Sequence, residues 1–170
     1  MVFVPSGTTT VANGSVTVSQ SFYIGKYEVT QAEWQAVMGN NPSYFNGKPN
    51  NPVEQVSWYD ILVYCNRRSI QERLIPVYSI NSFTNPDNWG IVPLNNSPIW
   101  NTVFTDNFAN GYRLPTDVEW EYAARGGREG SATIYAGSDN IDAVAWYGGN
   151  SGFGTHSVGE KLPNELGLIS

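Results

Sequence analysis

Three short stretches of the chain carry the side chains that start a helix, and long turn-rich segments separate them. Thr30-x-x-Glu33 is a capping box. In such a box the N-cap hydroxyl and the acid three residues on each take a free backbone N–H of the other. The helix it opens runs through Trp34 and Val37 and stops at Gly39, ahead of Asn40-Asn41-Pro42. Ser57-x-x-Asp60 is a looser version. Its helix sets Trp58, Ile61, Leu62 and Cys65 at i, i+3, i+4 and i+7, a predicted apolar face. Thr116-x-x-Glu119, behind Leu114-Pro115, opens a third helix through Trp120 and Ala123 to Gly126-Gly127.

What lies between is strand and loop. Val16, Val18 and Phe22-Tyr23-Ile24 are β-branched and aromatic, with Asn13-Gly14 as a turn ahead of them, so a strand, a hairpin-like turn and a second strand are expected in residues 1–30. Pro76-Val77-Tyr78-Ser79-Ile80 reads as another strand. It opens an excursion to Asn110 in which turn clusters such as Asn85-Pro86-Asp87-Asn88 alternate with Trp89, Ile91, Val92, Ile99, Trp100, Val103 and Phe104. Those apolar residues predict a packed excursion, not a linker. Beyond Gly127 the chain is again loop-like, and no repeat divides it. The 170 residues suit one domain with one core, so residues 1–170 are read as a single domain.

Charge excludes some functions. Lys and Arg number 9 against 15 acids, a net charge of −6, which argues against nucleic acid. Arg67 and Arg68 are adjacent, but neighbours on a helix diverge, and a solvated face is the expectation. No stretch approaches the ~18 apolar residues of a membrane span. One cysteine, Cys65, permits neither an internal disulfide nor a cysteine zinc site. Aromatics make up 14% of the chain and charged residues only 14%, a composition that hints at aromatic binding loops.

Three phrases, in order, carry a resemblance. They are Phe22-Tyr23-Ile24-Gly25-Lys26-Tyr27-Glu28-Val29-Thr30-Gln31-Ala32-Glu33-Trp34, Asn51-Pro52-Val53-Glu54-Gln55-Val56-Ser57-Trp58-Tyr59-Asp60, and Asn110-Gly111-Tyr112-Arg113-Leu114-Pro115-Thr116-Asp117-Val118-Glu119-Trp120-Glu121-Tyr122-Ala123-Ala124-Arg125-Gly126-Gly127. With the closing Pro163-Asn164-Glu165-Leu166-Gly167-Leu168, the chain resembles the sulfatase-modifying-factor family of formylglycine-generating enzymes and their bacterial relatives. The resemblance implies a C-type-lectin-like α+β fold: loop-rich, with two to three short helices and small antiparallel sheets. It also implies an exported or cell-surface setting, although the residues themselves leave the compartment open.

The family's founding members oxidise a sulfatase cysteine to formylglycine; relatives oxidise small thiols, accompany kinases or bind variable ligands. In the catalytic members the Leu-Gly-Leu phrase leads into a Gly-Asn-x-Trp-Glu-Trp segment and a copper-binding cysteine pair. This sequence contains neither and is expected to be C-terminally incomplete, with an open sheet edge, marginal stability, and a need for a dimer or a completing segment. Copper is not supported, because a soft metal needs soft ligands and Cys65 stands alone on a predicted helix core face. Calcium, which some relatives hold near the Trp146 region, has weak candidates in Asp139, Asp142 and Asn150. Val144 stands where catalytic relatives carry an asparagine ligand, and the balance is against tight binding.

No catalytic residue is assigned. Glu33 and Glu119 are read as capping acids, and Glu121 is expected to meet Arg113 or Arg125. Arg113 is expected to be a buried fork tying loops together. His156 reads as a plain loop residue. Two functions compete. One is a non-catalytic, lectin-like module that binds a protein, peptide or glycan through Trp89, Trp100, Trp146 and Tyr147; core packing is the bland alternative for each tryptophan. The other is a fragment of a formylglycine-generating oxidase.

Overall fold

The computed structural model describes residues 1–11 and 14–169. They divide into two compact units. One comprises Met1–Gln31, Phe45–Val53 and the chain from Pro115 onward; the other comprises Ala32–Tyr44 and Glu54–Leu114.

In the first unit the β-branched N-terminal residues form four short strands, two more than the sequence suggests. β1 (Val2–Val4) pairs antiparallel with β4 (Phe22–Ile24), and β2 (Gly7–Val11) pairs with β3 (Gly14–Val18). The Asn13-Gly14 turn expected from the sequence has its first residue outside the described residues. Alternation decides which side chains go in. Val4 and Val18 join Tyr122 and Ala123 in a buried cluster, flanked by Val16, Phe22, Ile24, Leu166 and Leu168. Phe3 and Tyr23, opposite each other on the other face, stay exposed as a tilted ring pair 5.3 Å apart.

α3 (Asp117–Ala124) supplies Tyr122 and Ala123. Its capping box forms as the sequence predicts: Glu119 N–H donates to Thr116 Oγ1 at 3.2 Å, and Thr116 N–H donates to Glu119 Oε2 at 2.8 Å. The helix ends where Gly126 turns left-handed at φ +81°. Tyr122 is fully buried and donates its hydroxyl to Pro5 O at 3.0 Å. A Cβ at Gly7 would lie 2.8 Å from that hydroxyl, so the strand approaches this closely only as glycine.

In the second unit α1 (Gln31–Met38), which starts in the first, stops before Gly39 as expected. α2 (Trp58–Gln71) also starts at its predicted cap. Ser57 Oγ accepts from Asp60 N–H at 3.1 Å, and Ser57 N–H donates to Asp60 Oδ2 at 2.8 Å. Its buried face differs from the predicted one by a rotation of about one residue. Tyr59, Leu62, Val63, Cys65, Asn66 and Ser69 point inward, while Trp58 is 45% exposed. Trp34 stacks on Tyr64 at 4.9 Å. Arg68 is no plain solvated cation. It donates to Tyr64 Oη at 2.9 Å and to Glu72 Oε1 at 3.1 Å, lies 3.6 Å from Glu33, and sits over the Tyr112 ring.

The excursion hangs on one buried amide. Asn66 Nδ2 donates to Tyr78 O and Thr84 O, each at 2.7 Å, and Asn66 Oδ1 accepts from Tyr78 N–H at 3.1 Å. This holds β5 (Tyr78–Ser79), which pairs antiparallel with β6 (Phe104–Thr105).

A pocket around Trp146

Gly127 to Leu168 contains one short α-helix, α4 (Ile141–Val144), and a 3-10 turn at Gly127–Glu129, so side chains must supply the order that ladders supply elsewhere. Asn164 is buried and makes four hydrogen bonds. Its Nδ2 donates to Ala123 O at 2.8 Å and Ala124 O at 3.1 Å, and its Oδ1 accepts from the N–H groups of Leu166 and Leu168 at 3.0 and 3.1 Å. Arg125 ties the end of α3 to the following loop. It donates to Glu121 Oε1 at 2.9 Å and to the carbonyls of Thr133 and Ile134, each at 3.1 Å. Arg125 thus ties a helix end to a loop through backbone carbonyls, and the burial expected of Arg113 is not found. Arg113 itself is exposed and donates to the neighbouring Leu114 O at 3.0 Å. Its position ahead of Leu114-Pro115 leaves its fork at the surface.

Two buried or half-buried asparagines shape the loop around Trp146. Asn51 Nδ2 donates to Thr155 O at 2.8 Å, and Asn150 Oδ1 accepts from Tyr147 N–H at 2.9 Å. The result is a pocket of 390 Å³ lined by Glu28, Pro52, Trp146, Tyr147, His156 and Glu160 among others. His156 stacks on Trp146 with ring centroids 3.7 Å apart and planes 12° from parallel. Lys161 Nζ lies 3.7 Å from the same ring and donates to Asp142 O at 2.7 Å. The Trp146 π system is therefore already engaged. Its Nε1–H is buried and has no acceptor among the described residues. Tyr147 is exposed, and the Asp142 carboxylate beside its hydroxyl raises its pKa. His156 is thus more than a plain loop residue: Nε2 lies 2.8 Å from Ser151 O, and the ring forms one wall of the pocket.

The other expected contact residues lie elsewhere. Trp89 and Trp100 are buried, 7% and 4% exposed. Their rings meet edge-on at 5.7 Å, Tyr59 packs edge-on against Trp100 at 5.4 Å, and Trp89 Nε1 donates to Phe83 O at 2.7 Å. Burial of this aromatic trio anchors the excursion, as area removed from water requires. Ile91, expected inside, turns out instead at 95% exposed, and Leu94 nearby is 99% exposed.

The three calcium candidates do not fit a calcium ion. Asp139 Oδ1 accepts from Ile134 N–H at 2.8 Å, Asp142 Oδ1 accepts from Asn150 Nδ2 at 3.1 Å, and the Lys161 ammonium already holds the Asp142 carbonyl. Calcium needs six or more oxygens, and Asp139 Oδ1, Asp142 Oδ1 and the Asp142 carbonyl already accept hydrogen bonds within the protein. Among the described residues no three His, Cys, Asp or Glu side chains converge on a metal position. Copper fits no better. Cys65 is buried, and burial pushes its thiol up to about 12, the Arg68 charge offsetting only part of that. Among the described residues no helix is long and apolar enough to cross a membrane.

Few short helices, two-stranded antiparallel ladders and long ordered loops define an α+β fold of the formylglycine-generating-enzyme type. The chain belongs to the family described as the sulfatase-modifying factor enzyme 1-like domain, which it matches over residues 1–170. It is 48% identical over 172 aligned positions to a protein of Paenibacillus barcinonensis named chaperone protein LppX, covering 91% of this chain and 59% of that protein. Among solved structures, it is 38% identical to Treponema denticola variable protein 1, with a TM-score of 0.88 over 99% of this chain and 68% of that one. It is 28% identical to CarF, with a TM-score of 0.77 over 99% of this chain and 75% of that one.

Proposed function

We propose that this domain is a non-catalytic protein-binding module of chaperone type, which covers apolar segments of a polypeptide client. One observation carries the reading. Among the described residues the three most exposed large apolar side chains, Leu94 at 99%, Phe108 at 97% and Ile91 at 95%, all lie in the excursion. That same excursion is anchored from below by buried Trp89 and Trp100. A loop that spends its tryptophans on anchorage and presents its aliphatics to solvent is built to meet an apolar partner. The relative named a chaperone supports the reading. The oxidase reading would need thiols other than Cys65, whose buried, un-ionised sulfur is a poor nucleophile.

The test is suppression of light scattering from a heat-unfolding test enzyme by an equimolar amount of this protein. The wild type should lower scattering by about half or more, and Ile91→Ser/Leu94→Ser/Phe108→Ser should lose most of that effect at unchanged Tm. Equal suppression by the triple variant, or none by the wild type, would sink the proposal.

A further inference from the structure

Glu28 and Glu160, both exposed, line the Trp146 pocket, and no lysine or arginine does. Neither acid has a lysine or arginine ion pair among the described residues. The ionisable neighbour Glu160 does have is His156 Nδ1, at 4.0 Å. His156 Nε2 faces the Ser151 carbonyl at 2.8 Å, and a carbonyl only accepts. Nε2 therefore carries the proton of the neutral ring, and Nδ1 turns a lone pair toward Glu160. A neutral imidazole in that tautomer adds no positive charge beside the carboxylate.

The remaining lining is mixed, with Ser151, Thr155 and Ser157 beside apolar residues. Pro52 and Val158 line the pocket, and so does Trp146, whose buried Nε1–H lacks an acceptor. An unsatisfied buried donor costs ~1–3 kcal/mol and calls for a partner. At 390 Å³ the space lies toward the small end of the ~300–1,000 Å³ range of ligand pockets. An anion would meet two carboxylates. A sugar ring would want a free aromatic face, and the Trp146 ring is taken by His156 and Lys161.

We propose that this pocket binds the lysine or arginine side chain of a polypeptide partner. The methylene stem lies along Pro52 and Val158, and the cationic head meets Glu28 and Glu160. The chain's net charge of −6 favours approach of a basic segment. The proposal rests on the protein-partner reading above and gives it a second, charge-selective contact.

The experiment follows the indole N–H cross-peaks of the whole chain by NMR, with that of Trp146 assigned through Trp146→Phe. The probes are N-acetyl-arginine amide and N-acetyl-lysine amide. N-acetyl-norleucine amide, the uncharged counterpart of lysine, and N-acetyl-glutamate amide are controls. The basic probes should shift the Trp146 peak saturably, with Kd on the order of millimolar for so small a ligand. Glu28→Gln/Glu160→Gln should weaken that binding about tenfold or more while the other indole peaks stay in place. No saturable shift with either basic probe, an equal shift with norleucine or glutamate, or unchanged binding in the double variant would overturn the proposal. The two readings fail separately. Scattering suppression without probe binding removes only this pocket, and probe binding without suppression removes only the chaperone role.

Discussion

In the unit built from Ala32–Tyr44 and Glu54–Leu114, order radiates from one 14-residue helix whose inward face carries Tyr59, Leu62 and Cys65. In the other unit, the stretch from Gly127 to Leu168 has a single four-residue α-helix and a 3-10 turn, and is stitched by Asn164, Asn150 and Arg125. The first solution draws on apolar burial along a regular element, which tolerates one lost contact because many others remain. The second concentrates the hydrogen bonding of many loop residues onto a few amides. Losing one of those amides strands several buried backbone groups at once.

The sharpest way to break this comparison is Asn164→Ala. It removes four hydrogen bonds, two of them from Leu166 and Leu168 N–H, and should cost ~4 kcal/mol or prevent folding, read by urea denaturation. Leu62→Ala is the matched change in the helical unit. Leu62 is 0% exposed, and the expected loss is ~3 kcal/mol. A larger loss for Leu62→Ala than for Asn164→Ala would mean that the amides are dispensable. Next come the two arginines. Arg125→Ala should cost ~2 kcal/mol, because two loop carbonyls and Glu121 lose their donor. Arg113→Ala, at an exposed position, should cost less than Arg125→Ala. Ser57→Ala removes a cap and should cost ~1 kcal/mol by the same denaturation assay.

The smallest effect sharpens the account of Cys65. Its ordinary pKa of 9.0 is raised to about 12 in the fold, so the folded state holds the proton more tightly. That contribution to stability is complete below pH 9 and is lost as pH rises toward 12. Cys65→Ala should therefore flatten, though not abolish, the fall in Tm between pH 8 and pH 11, because burial also raises Tyr64 and Tyr78. An unchanged slope would place the thiol nearer to solvent than its burial implies.

What could be read from sequence was local. The capping boxes at Ser57 and Thr116 involve residues three apart, and both form as written. The phase of α2 was harder, because Trp58 and Tyr59 are both large and apolar, and only tertiary packing decides which turns inward. The excursion shows the same limit. Composition places tryptophans and aliphatics in it, but their inside-or-outside choice depends on Tyr59 and Asn101, some forty residues apart in the chain, which share a 2.6 Å hydrogen bond. At the pocket, Trp146 and Tyr147 were legible as aromatics in a loop. Glu28, Glu160 and Lys161 were not, because their approach to Trp146 depends on how three loops fold back. The lone His156 carried no motif, and its stacking on Trp146 became visible only in three dimensions.

The placing of the indoles has an optical consequence. Trp89 and Trp100 meet at 88° within one unit, while Trp146 lies parallel to an imidazole in the other. Rings fixed in such asymmetric surroundings give near-ultraviolet circular dichroism that vanishes when side-chain packing is lost. Each unit therefore carries its own chromophore. Spectra of Trp100→Phe and Trp146→Phe, subtracted from the parent during heating, would show whether the two units melt in one step or in sequence.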